Sequence, residues 1–238
     1  MNSTRRINIV IGTTLAAAVV TATFAGWASH ELHLYLGLSV LGLAAITSRM
    51  KVKLPGVNGN MSVNLPFLLT AVVNLSAVEA VVVTCVSTAV QCWPRKGAKF
   101  NPQQMAFNLS MMAFASGSAS LVFHASWLHA MPATLALVLA VGTLFLGQTM
   151  PVSIIVSASE GKAAGPVWWN LAHLSFPYYV VSAGLTSMVQ TVSSHLGWEL
   201  ALAVFPVMYG IHRSYNVYFA RMESDRPERM ARAVAAGA

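Results

Sequence analysis

The sequence predicts an all-α protein, a polytopic transmembrane helix bundle of about eight segments, two of them short. Three observations carry that reading. Of the 238 residues 56% are hydrophobic and 9% charged, against roughly a quarter charged in soluble domains. The apolar residues fall in successive runs, and Lys and Arg collect in alternate connections, as they do in the cytoplasmic loops of membrane proteins. The net charge of +7 is therefore spread over loops rather than gathered in one patch, which speaks for topology and against nucleic acid.

In chain order, Arg5 and Arg6 precede the apolar run 7–28. That layout also belongs to secretory signal peptides, but the length of the run and the further runs behind it favour a retained first helix. Segments follow at 32–47, 61–75, 77–93, 104–123, 132–155, 170–192 and 197–211. With the N-terminus inside, the inner connections hold Arg5 and Arg6, then Arg49, Lys51 and Lys53, then Arg95, Lys96 and Lys99, then Lys162, then the tail from Arg213 onward. The outer connections hold none. Merging the short segments 61–75 and 77–93 into one span would move the Arg95 loop outside, so both are expected to cross. The expected location is the inner (cytoplasmic) membrane, multi-pass, with both termini cytoplasmic and the lipid bilayer as partner.

Tryptophan offers an independent check, because its ring prefers the headgroup level. Trp27, Trp127 and Trp198 fall at expected outer ends and Trp93, Trp168 and Trp169 at inner ends. Helix starts are marked at Ser76-Ala77-Val78-Glu79, a capping box, and at Asn101-Pro102-Gln103-Gln104, with Pro at the first helical position. Longer connections are expected at 49–60 and 160–166. The chain divides into a bundle, 1–212, and a cytoplasmic helical tail, 213–238.

Polar atoms are densest across 51–93, the combination of short segments and buried polarity that marks binding sites in membrane proteins. Asn64, Thr70 and Asn74 on the third segment, Gln104 and Asn108 at i, i+4 on the fifth, and Gln148 on the sixth are candidates to line one polar cavity. The alternative is interhelical hydrogen bonding, worth about 0.6 kcal/mol each. Glu79 is the carboxylate nearest the middle of a segment. It either completes the cap with Ser76 or faces the cavity, and one position can serve both. The small residues at 113–120 are expected to let helices approach closely.

His30, His33, His124, His129 and His195 fall on the outer side with Glu31, Glu79 and Glu199. Imidazole and carboxylate suit a metal or a proton sensor, but interfacial histidines need no ligand, and no metal site is assigned. Cys85 and Cys92 lie about 10 Å apart along one helix, too far for a disulfide. There is no paired aspartate, HExxH, GxSxG, P-loop or CxxC, so neither an enzyme nor a cofactor is expected.

Four motifs add a resemblance: Leu54-Pro55-Gly56-x-x-Gly59-x-Met61-Ser62-Val63-Asn64, Gln91-Cys92-Trp93, Pro102-x-Gln104-x-x-Phe107-Asn108 and Tyr209-x-x-x-Arg213-Ser214-Tyr215-x-x-Tyr218. Through them the chain resembles the multispan N-terminal membrane sensor domains, akin to vitamin-uptake substrate-binding subunits, that precede bacterial cyclic-di-GMP synthases and HD-type phosphodiesterases. The resemblance covers nearly all of residues 40–222. It implies a bundle that binds an unidentified small molecule without catalysis and signals along its last helix to a cytoplasmic output domain. Only residues 223–238 follow Met222, so a stand-alone module is expected. The rival reading is a permease or the substrate-binding subunit of a vitamin-type uptake transporter.

Past the last segment, Tyr215, Tyr218, Phe219 and Met222 recur at helical spacing and form an apolar stripe flanked by Arg213 and Arg221. The stripe either anchors the span at the headgroups or docks a cytoplasmic signalling partner or a second copy in a homodimer.

Overall fold

The computed structural model describes residues 3–28, 32–53, 60–94, 100–128 and 130–196, together with 206–207, 209–210, 212–214 and 217. The last expected segment (197–211) and the tail stripe fall almost wholly outside them. Seven helices are described: α1 (Ser3–Ala28), α2 (Leu34–Ser48), α3 (Leu65–Asn74), α4 (Ala77–Cys92), α5 (Pro102–Phe123), α6 (Ala133–Glu160) and α7 (Ala164–Leu196). One turn of 3₁₀ helix at Ser126–Leu128 precedes α6, and two short strands, β1 (Lys51–Lys53) and β2 (Asn60–Ser62), separate α2 from α3. The architecture is thus all-α apart from this ribbon. Three of the described helical stretches, Thr4–Ala28, Pro102–Phe123 and Ala133–Glu160, are long and apolar enough to cross a membrane.

The bundle is built around α3. Every residue from Leu65 to Val73 is buried, and α3 touches α2, α4, α5, α6 and α7. A helix apolar on all sides has no solvent face to offer and belongs in the middle. Around it, α1 packs on α5 and α6, α4 on α2 and α5, and α7 on α6. Small residues allow these approaches. A Cβ on Gly147 would lie 2.9 Å from Ala115 Cβ and 3.0 Å from Ala115 Cα, and one on Gly117 would lie 2.6 Å from Thr21 Cγ2. Most of 113–120 is buried at these seams.

Most buried hydroxyls are satisfied within their own helices or across one seam, whereas Ser182 Oγ has no hydrogen-bond partner among the described residues. Thr84 Oγ1 donates to the α4 backbone and shares a 2.7 Å hydrogen bond with Ser116 Oγ on α5, while Thr70, Ser110 and Thr149 donate to the carbonyl four residues back. That pattern hides a polar group without a tertiary partner.

Three expectations change. The segment 61–75 is not one apolar helix: β2 pairs antiparallel with β1, Lys51 opposite Ser62 and Lys53 opposite Asn60, a turn follows at Val63 and Asn64, and only then does α3 begin. Val63 N–H donates to Met50 O at 3.2 Å and Ser62 Oγ to Ser48 O at 3.1 Å, which ties the turn to the end of α2. At 1.5 Å per residue α3 is about 15 Å long, half the thickness of a bilayer core. The connection 49–60 is accordingly a ribbon in part, not simply a loop. The connection at 160–166 shrinks to Gly161, Lys162 and Ala163, because Gly161 closes α6 at φ 67, a left-handed conformation glycine adopts without strain, and α7 starts at Ala164 with Pro166 in its first turn.

Both expected helix starts are present. Ser76 and Glu79 form a reciprocal capping box on α4, and the Asn101 side chain accepts from Gln104 N–H on α5. Arg49 adds a cap at the other end of α4, its Nη1 donating to Val90 O at 3.2 Å and Trp93 O at 3.0 Å, where a cation complements the negative end of the helix. Trp27 and Trp127 stand exposed at one end of the bundle and Trp93 and Trp169 at the other. Trp198 lies outside the described residues.

Candidate ligand cavity

The turn that starts α3 partway into the bundle leaves space between it and the surrounding helices. The result is a cavity of about 510 Å³ at the Trp93 end, within the range of small-molecule sites. Its deep wall carries Asn64, Leu65 and Leu68 from the start of α3, Thr88 from α4, Phe107, Asn108, Met111 and Met112 from α5, Gln148 and Thr149 from α6, and Leu171, Ser175, Tyr178 and Tyr179 from α7. Ile7 and Ile11 of α1 close one side. Gln91, Asn101, Gln103, Gln104 and Ser159 line the mouth, and all of these but the half-buried Gln91 are exposed. None of the described lining residues is Asp, Glu, Lys, Arg or His.

A chain of hydrogen bonds fixes the polar part of the wall. Asn64 Nδ2 donates to Ser87 Oγ at 2.7 Å, and Ser87 Oγ donates to Ala44 O at 3.2 Å, which locks the turn to α4 and α2. Leu65 N–H donates to the Tyr178 hydroxyl at 3.1 Å, so an N–H at the start of α3 is satisfied from α7. Asn108 Nδ2 lies 3.3 Å from Cys92 Sγ, a weak acceptor. Tyr179 Oη donates to Gln148 Oε1 at 2.6 Å. Gln148 Nε2, fully buried, has no hydrogen-bond partner among the described residues.

Of the seven residues expected to share a cavity, the structure brings together Asn64, Gln104, Asn108 and Gln148 and leaves out Thr70, Asn74 and Glu79. The reason is local. Thr70 Oγ1 donates to Pro66 O at 2.8 Å and Asn74 Nδ2 to Thr70 O at 3.1 Å, so both are satisfied by their own helix, and Asn74 sits at the opposite end of α3 from Asn64. Glu79 is occupied at the opposite end of α4. It accepts from Ser76 N–H at 3.0 Å, Ser76 Oγ at 2.8 Å and His33 N–H at 2.6 Å, joining the start of α2 to the start of α4. Of the two readings of Glu79, the cap is the one its contacts show.

Tyr178, Tyr179, Met111 and Met112 escaped the sequence reading. Two adjacent tyrosines after Pro177, in the middle of an apolar run, were the available signal, since a buried phenol needs a partner. Among the described residues no three His, Cys, Asp or Glu side chains group as a metal site would require. His30, His129, Glu31, Glu199 and the side chain of His195 lie outside the described residues. Cys85 and Cys92 are free thiols.

Compared with known proteins, the chain matches no family model, no curated protein and no solved structure.

Proposed function

We propose that this chain is a multi-pass protein of the cytoplasmic membrane, about eight segments with both termini inside, and that it works as a sensor-type module that binds a small molecule without catalysis. The observation that carries the proposal is the cavity: about 510 Å³ enclosed by apolar side chains with a few convergent amides and phenols, the makeup of a small-molecule site. The resemblance to the multispan sensor domains points the same way, because residues from three of its motifs, Asn64, Gln91, Gln104, Phe107 and Asn108, meet at this one cavity. Exposed apolar residues on the outer faces, such as Leu15, Phe24, Leu38 and Val138, suit contact with lipid rather than water.

The position of the mouth favours sensing over uptake. Its rim flanks the connections that hold Arg95, Lys96, Lys99 and Lys162, the cytoplasmic ones by their charge. An uptake subunit has to load from outside, whereas a sensor of the cell interior loads from this side. Native mass spectrometry of the purified protein, released gently from detergent, tests the proposal: a retained small molecule of constant mass supports it, and bare protein from every preparation counts against it.

A further inference from the structure

Resting on the reading of the cavity as a ligand site, we propose that the hairpin of α6 and α7 at the mouth, residues 152–176, is a lid that closes over the ligand by swinging about two prolines. Pro151 lies inside α6 and Pro177 inside α7. Neither ring nitrogen carries a proton, so the carbonyls of Gly147 and His173 receive no bond from the residue four ahead, and a helix bends most easily at such a point. The hydrogen bond from Tyr179 Oη to Gln148 Oε1 sets the two prolines at nearly one level. Pro151 stands three residues from Gln148 toward the connection, and Pro177 stands two residues from Tyr179 in the same direction, about 4.5 Å and 3 Å along the helices. Two helices joined in a hairpin bend together only where their weak points coincide.

On the far side of that level the two helices are fastened to the bundle. Gly147 lies against Ala115 of α5, the Tyr178 hydroxyl accepts from Leu65 N–H, and Thr186 Oγ1 donates to Pro66 O at 3.4 Å. The α3 and α4 side of the cavity is fastened too, by Asn64 to Ser87 and by Arg49 at the end of α4. On the near side, bonds hold the hairpin together as a unit. Ser157 Oγ donates to Lys162 O, Lys162 Nζ pairs with Glu160, and Trp168 Nε1 donates to Thr149 Oγ1 beside the hinge at 3.2 Å. The connection is Gly161, Lys162 and Ala163 alone, too short to let α6 and α7 part. Val152, Ile155, Val156, Leu171 and Ser175 of this unit form one wall of the cavity, and Ser159 shares the exposed rim with Gln103 and Gln104 of α5. A bend of about 20° at the hinge moves Ser159, about 12 Å beyond Pro151, by about 4 Å, which changes the width of the mouth and leaves the packing beyond the prolines in place.

The experiment uses the full chain in lipid nanodiscs, with Cys85 and Cys92 replaced by Ala and spin labels on Gln103→Cys and Ser159→Cys, both exposed on the rim. Pulsed electron double resonance reads the distance between them. A control pair, Gln103→Cys with Gly142→Cys, follows α6 on the far side of Pro151, where an added Cβ meets nothing within 4 Å. The expected result is two distances about 4 Å apart for the rim pair and one for the control pair. Pro151→Ala with Pro177→Ala restores both helix bonds and should leave the rim pair with one distance. A single rim distance with both prolines present overturns the proposal, and so do two distances that appear equally in the control pair; neither result depends on the proline variant folding. Two rim distances that survive both proline replacements overturn it as well. Native mass spectrometry of the unlabelled protein separates these failures from failure of the cavity reading: a retained molecule with a single rim distance leaves the ligand site standing without a lid, and two rim distances in protein that never retains a molecule leave the hinge standing and remove the ligand site.

Discussion

Tyr179 and Gln148 join α7 to α6 through a 2.6 Å hydrogen bond, while the Tyr179 ring packs edge-on against Phe145 at 5.0 Å and 82°. The phenol therefore holds the cavity amide of Gln148, whose buried Nε2 has no hydrogen-bond partner among the described residues. Tyr179→Phe keeps the ring contact and removes only the hydroxyl. It should lower stability by about 1–2 kcal/mol, because the part-buried Gln148 Oε1 loses its partner, and thermal unfolding in detergent followed by circular dichroism measures it. Unchanged stability would mean that the hydrogen bond does not form.

Glu79 carries the opposite expectation. Glu79→Ala removes the reciprocal half of the α4 cap and the acceptor for His33 N–H, a loss of about 1 kcal/mol. Since Glu79 stands about 13 Å along α4 from Thr88, ligand retention should stay at the wild-type level. A variant of normal stability that no longer retained its ligand would return Glu79 to the site.

The contrast between Glu79 and α3 shows what the sequence could convey. The caps at Ser76 and Asn101 were legible because they are local: the partners lie three residues apart and the pattern states the bond. The break of 61–75 into strand, turn and half-length helix was not, because residues Leu65 to Val73 are buried on every side and periodicity says nothing where no face differs from another. The ribbon depends on residues brought together across a connection, which propensity does not encode. Polar positions were legible as a set, but not their partners. Nothing in the type of residue separates Asn64, bonded across helices to Ser87, from Asn74, bonded back to Thr70.

Gly147 tests the packing. An added Cβ meets the backbone of Ala115 at 3.0 Å, and a helix cannot yield there as a side-chain tip can. Gly147→Ala should force α5 and α6 apart and cost about 1–3 kcal/mol, read as a lower midpoint in thermal unfolding. Gly142 has nothing within 4 Å of an added Cβ, so Gly142→Ala serves as the control and should be neutral or slightly stabilising.

Reporter fusions test the proposed orientation. With Lys and Arg confined to alternate connections, fusions after Asn60 and Lys99 should read cytoplasmic, and fusions near Ser76, Trp127 and His195 external. A cytoplasmic signal at Trp127 would contradict the eight-segment arrangement and place the cavity mouth on the wrong side for sensing the cell interior.

The central claim, that a small molecule sits among the amides at the Trp93 end, is tested most directly by the mass retained in three proteins. Wild type, Asn108→Leu and Asn74→Leu are purified alike and compared by native mass spectrometry. Asn108 lines the cavity and its contact with Cys92 is weak, so its loss should cost little stability. Asn74 lies at the far end of α3 and bonds only within its helix. The account predicts a retained molecule in wild type and Asn74→Leu and its loss from Asn108→Leu; equal retention in all three, or loss from Asn74→Leu alone, would contradict it.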